Sequence, residues 1–150
     1  MTGTLSPSER RIWRAALSLA DLLRFRVSAE LKPVSDLTQA EHSVLMHIAE
    51  APGQQLRQQS LANTLCWSKS RLSHQLTRMQ ARGLVERIVE SATEVQITLT
   101  AAGLVELKES DEAHAAAVRR HLLHLATEEE LAALVRLADR LKTVDVQSLP

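Results

Sequence analysis

The stretch SKSRLSHQLTRMQARG, Ser68–Gly83, decides how this 150-residue chain is read. Its apolar residues Leu72, Leu76 and Met79 recur at i, i+4 and i+7, the spacing of one buried helix face. Ser68 is a good N-cap, because its hydroxyl can accept from a free N–H of the first turn. Gly83 stands where helices are commonly closed by a left-handed residue. The opposite face carries Ser70, Arg71, His74, Thr77 and Arg78, small polar and basic groups of the kind that reach base edges and phosphates. Ser68 and Lys69 open the helix, where free N–H groups and the helix dipole favour a phosphate. An ordinary amphipathic helix with a solvated polar face has the same wheel. Charge separates the two readings. No acid occurs from Cys66 to Leu84, while Lys69, Arg71, Arg78, Arg82 and, just beyond, Arg87 crowd the stretch; solvated faces usually mix signs.

Upstream, Leu61, Ala62 and Leu65 predict a short helix over about 58–65, joined to the next by Cys66-Trp67. Downstream, Leu84–Val89 and Glu94–Leu99 are rich in β-branched residues, and the second alternates cleanly, so the pair predicts an antiparallel hairpin with a short loop. Two short helices at a tight joint, followed by a hairpin, is the arrangement that presents one helix to a major groove. Further out, three capping boxes open helical patterns: Ser6-Pro7-Ser8-Glu9, Thr38-Gln39-Ala40-Glu41 and Thr127-Glu128-Glu129-Glu130. Thr100 caps a long helix reaching roughly His124. The expected fold is therefore mainly α with a small β-hairpin wing, in the order α-α-α-α-β-β-α-α.

The totals narrow the function. The net charge is zero, yet Gln54–Val89 carries an excess of five positive charges and Glu90–Glu130 an excess of six negative ones, which suggests one face built for phosphate. Aromatic residues are 2% of the chain, with no Tyr, too few for base-stacking single-strand binders. A single cysteine excludes an intrachain disulfide framework and fits a reducing compartment. No apolar run approaches a bilayer span of about 20 residues, and Glu9-Arg10-Arg11 interrupts any signal-type apolar segment. A cytoplasmic, non-membrane protein is expected. No nucleophile–base motif, glycine-rich phosphate loop or recognisable carboxylate pair points to an enzyme, and no cofactor is expected.

The stretches LTQAEHSVLMHIAEAPGQQLRQQSLANTL (Leu37–Leu65), SKSRLSHQLTRMQARGLVER (Ser68–Arg87), ITLTAAG (Ile97–Gly103) and VRRHLLHLATEEELAALVRLADRL (Val118–Leu141) resemble the MarR family of bacterial transcription regulators. The resemblance covers nearly the whole chain and implies a single MarR-type domain over 1–150. It implies a winged helix-turn-helix over 38–99, with 6–32 and 100–143 forming the dimerisation helices of an intertwined homodimer. It further implies a sequence-specific regulator, a repressor by expectation, on a pseudo-palindromic duplex operator, with release by a small aromatic or anionic effector. Family-type contacts fall on Ser68, Ser70, Arg71, Ser73, His74 and Arg78; with the wheel, the expected DNA-binding set is Ser68, Lys69, Ser70, Arg71, Ser73, His74, Thr77 and Arg78. Trp13, Arg14, His42 and His47 lie near where family effectors bind, although Trp13 also reads as a packing residue.

Two places depart from the family. Its wing usually carries an Asp-x-Arg-x loop whose arginine enters the minor groove; this chain has Ile88–Glu94 without a base, and Glu90 and Glu94 are expected to repel phosphates. Cys66 stands where the family often has Gly. A thiol beside Lys69 and Arg71 is a candidate oxidation sensor; the alternative is a small buried hydrophobe packing with Trp67. His114, His121 and His124 share a helix with Asp111 and Glu112, a set with metal-ligand chemistry, although surface or interface histidines are the preferred reading and no metal is expected. The functional alternatives to an operator-binding regulator are a protein-interaction module with a decayed wing and a thiol-based redox sensor.

Overall fold

A computed structural model describes residues 3–143. The elements are α1 (Pro7–Leu31), α2 (Gln39–Glu50), β1 (Gln55–Arg57), α3 (Gln58–Leu65), α4 (Lys69–Ala81), β2 (Val85–Val89), β3 (Val95–Leu99), α5 (Ala101–Val118) and α6 (Glu128–Thr143). All three capping boxes form. The Thr38 hydroxyl accepts from Glu41 N (3.2 Å) while the Glu41 carboxylate accepts from Thr38 N (2.9 Å). Ser6 with Glu9 and Thr127 with Glu130 repeat the exchange. Those bonds hold the Glu9 and Glu130 carboxyls below their ordinary values, the Ser6 and Thr127 backbone N–H groups having the largest effect and their hydroxyls the next.

Two features differ from the expected order. Gln55–Arg57 forms a strand antiparallel to β3, with Leu56 opposite Ile97, so β3 of the wing hairpin is the central strand of a three-stranded sheet ordered β1-β3-β2. Three residues are too few to show alternation, and this strand exists only because β3 offers it an edge. The long helix from Ala101 is α-helical only to Val118; a π-helical turn, Arg119–Leu123, follows and ends before the Thr127 cap.

The chain divides into two compact units. Val27–His114 holds a core in which Val44, Leu45 and Ile48 of α2, Leu61 of α3, Leu72, Leu76 and Met79 of α4, and Ile97 of β3 are fully buried. Every apolar residue that set the reading of Ser68–Gly83 is in this core. The end of α4 is fixed to the start of α5. Gly83 is left-handed (φ 71°), and the Thr100 hydroxyl donates to its carbonyl at 2.6 Å while accepting from Gly103 N. Gly103 packs so closely that an added Cβ would lie 2.1 Å from the Leu84 carbonyl oxygen. The other unit comprises the chain up to Arg26 and from Ala115 onward. Here α1 exposes Ile12, Trp13, Leu17, Leu19, Leu22 and Phe25, and α6 exposes Leu134, Val135, Leu137 and Leu141.

Candidate nucleic-acid interface

The turn before α4 is built by one residue in an uncommon conformation. Cys66 closes α3 in the left-handed region (φ 53°, ψ 38°), a placement that costs a non-glycine residue about 1 kcal/mol. It lets Trp67 N donate to Ala62 O at 3.0 Å, and the Trp67 ring then packs half-buried against the core. Cys66 itself is exposed. This corrects its reading as a buried hydrophobe: Cys66 is exposed at its left-handed turn, and the neighbouring tryptophan packs half-buried against the core instead.

Ser68 caps α4, accepting from Arg71 N at 3.2 Å. Ser68, Lys69, Ser70, Arg71, His74, Thr77 and Arg78 are all exposed, and Ser73 is partly buried. Two of the arginines are held. The Arg71 guanidinium lies 4.1 Å above the Trp67 ring, a cation–π placement that restrains a long side chain without neutralising it. Arg78 donates to Oε1 of Gln75, which is buried. Trp67 and Gln75 therefore position the basic face, and neither was named as a site residue from sequence. The four-residue step from Trp67 to Arg71 was visible, but its meaning depends on where the turn throws the indole.

Two bases of the sequence cluster have structural work. Arg82 pairs with Glu41 at 2.7 Å, where the Glu41 side chain is 6% exposed, tying the end of α4 to the capping box of α2. Arg87 of β2 donates to Gln80 Oε1 and Thr77 Oγ1, each at 2.9 Å, bracing the wing strand against α4. Thr77 Oγ1 also donates to Ser73 O, so this hydroxyl is already engaged on both sides. The wing loop is short, folded around Ser91, whose hydroxyl accepts from Glu94 N. Glu94 is not a free repulsive charge: it pairs with Arg57 of β1 at 3.1 Å.

Among the expected effector residues, Trp13 and Arg14 are exposed on α1, in one unit, and His42 and His47 belong to the other. His47 donates Nδ1–H to Ser43 O at 2.7 Å. His42 is fully buried and stacks on His114, ring centroids 3.9 Å apart. His114 thus turns toward α2, and among the described residues no group of three or more His, Cys, Asp or Glu is placed to hold a metal ion. No described helix is long and apolar enough to cross a membrane.

A three-stranded sheet with a hairpin wing, packed on a helix–turn–helix whose second helix presents an exposed, acid-free face, defines a winged helix-turn-helix fold. The MarR family model matches residues 35–93. AbsC, a MarR family transcriptional regulator from Streptomyces coelicolor, is 32% identical over 95% of this chain and 100% of its own, with a TM-score of 0.81. The chain belongs to the MarR family of transcriptional regulators. A second such regulator from Streptomyces coelicolor, crystallised in complex with DNA, is 25% identical over 94% of this chain and 89% of its own, with a TM-score of 0.83. A mutant MarR from E. coli complexed with operator DNA shares the fold at 20% identity, covering 93% of this chain and 99% of its own (TM-score 0.77). No curated protein sequence matches.

Proposed function

We propose that this protein is a dimeric, sequence-specific transcriptional repressor that places α4 in the major groove of a pseudo-palindromic duplex operator. The exposed, acid-free face of α4 carries the reading. Ser68, Lys69, Ser70, Arg71, Ser73, His74, Thr77 and Arg78 contact the DNA: Arg71 and Arg78 as charged groups, Ser68 and Lys69 at the helix N-terminus against a phosphate. Region 38–99 acts as the DNA-binding part, and 6–32 with 100–143 as the dimerising part. The apolar rows on α1 and α6 support this, because contiguous exposed patches of that kind mark interaction surfaces. Two-fold pairing would set the two α4 helices about one DNA turn apart, roughly 34 Å. A small aromatic or anionic effector releases the operator.

Footprinting and gel shift on the DNA upstream of the gene test the reading, followed by titration of aromatic carboxylates. The double variant Arg71→Ala/Arg78→Ala is expected to abolish the shift. No shift by the native protein favours a protein-interaction module, and unchanged binding by the double variant removes α4 from the interface. Loss of the shift on peroxide treatment, prevented by Cys66→Ser, would favour the thiol sensor; Cys66 is exposed, which admits the chemistry.

A further inference from the structure

The wing loop lacks a base, yet a basic residue stands at its root. Arg57 is the last residue of β1, opposite Gln96 of β3. Residues directly opposite, and their i±2 neighbours, share a face of an antiparallel pair, which is how Arg57 reaches Glu94. The two side chains are 60% and 41% exposed. They lie on the wall of a 430 Å³ groove bounded by Gln58 and Gln59 of α3, Lys69 at the start of α4, and Thr93 of the wing loop. The groove therefore runs between the two elements by which a winged helix-turn-helix holds DNA, and it contains two cations and one carboxylate.

We infer that Arg57 and Lys69 bind a phosphate of the DNA backbone in this groove, and that Glu94 competes with the phosphate for Arg57. The inference rests on the DNA-binding reading above and adds to it a contact outside α4. Glu94 holds Arg57 through one exposed contact at 3.1 Å, a weak tie, and a backbone phosphate can replace it with two parallel N–H bonds from the guanidinium. Arg57 exchanges one oxyanion for the other, and the base missing from the wing tip is supplied from β1. Glu94 then lowers affinity by occupying Arg57 in the free protein and by facing the phosphate once Arg57 has turned.

Backbone contacts are independent of sequence, so a fluorescein-labelled mixed duplex of about 30 base pairs serves as the probe, read by anisotropy from about 50 to 200 mM NaCl. Arg57→Gln is expected to lower the slope of log K against log salt by about 0.9, which is about a 3.5-fold smaller loss of affinity across that range. Arg57→Lys is expected to keep the slope. Glu94→Gln is expected to tighten binding in the native background and to have a much smaller effect beside Arg57→Gln. Equal melting temperatures for the Arg57 variants establish that the fold is kept, and if Arg57→Gln melts early, Arg57→Met, which keeps the aliphatic stem but no charge, carries the same slope test. An unchanged slope for Arg57→Gln overturns the inference, as does an equal gain from Glu94→Gln in both backgrounds, which would be long-range repulsion only. Either result alongside lost binding by Arg71→Ala/Arg78→Ala leaves the α4 reading standing; full binding by that double variant is the separate failure of the α4 reading itself.

Discussion

Lowering the pH is expected to destabilise this protein through one buried ring. His42 is 0% exposed, and neither of its ring nitrogens has a hydrogen-bond partner among the described residues. Removal from water, and then the neighbouring His114, push its pKa down from 6.5 to about 4, against the opposing pull of Asp111. Burial lowers His114 as well, again opposed by Asp111. The folded value lies below the unfolded one, so the unfolded chain takes up the proton first as the pH falls. The stability associated with the neutral ring is complete above pH 6.5 and is lost as the pH drops toward 4. One group contributes about 1.4 kcal/mol per pH unit in that window, hence about 2 kcal/mol between pH 6.5 and 5. His114 shifts the same way and steepens the loss. Urea unfolding at pH 7, 6 and 5 reads this directly when the native chain is compared with His42→Phe, which keeps a ring against His114 but takes no proton. The variant is expected to lose about 2 kcal/mol less over the acid step. At neutral pH its stability is expected to move little, because removing a buried, unsatisfied N–H (about 1–3 kcal/mol) offsets the slightly larger ring. Equal pH dependence in the two proteins would refute the argument.

Arg82→Ala should lower stability by about 2 kcal/mol, below the usual cost of breaking a buried pair because the arginine is partly exposed, as measured by urea unfolding. In DNA titrations of the same variant the salt slope is expected to stay unchanged, since Arg82 is committed to Glu41; a lost unit of slope would place it on a phosphate instead. Cys66→Gly should raise stability by about 1 kcal/mol by relieving the left-handed turn, seen as a higher melting temperature. A lower melting temperature would show that the thiol makes a contact worth more than the backbone strain.

Much of the fold was legible because its signals are local. The capping boxes of Ser6, Thr38 and Thr127, the i, i+4, i+7 row of Leu72, Leu76 and Met79, and the terminating Gly83 act within a few residues of themselves, so the chain sequence states them outright. The missing base in the wing loop is equally plain from the sequence. Which cations are available to DNA is a different kind of fact. Arg82 and Arg87 read as members of one basic cluster with Arg71 and Arg78, but packing commits Arg82 to Glu41 of α2, and the β2–β3 hairpin turns Arg87 back onto Thr77 and Gln80. β1 carries no pattern of its own, and only pairing with β3 brings Arg57 to Glu94 across a separation of 37 residues. The stacking of His42 on His114 likewise joins α2 to α5. The sequence by itself determined the helices, their ends and the acid-free face of α4, because those follow from side-chain period and backbone propensity. The tertiary structure alone decided which of its charges are neutralised, because an ion pair forms wherever the fold brings two side chains within reach, whatever their distance along the chain.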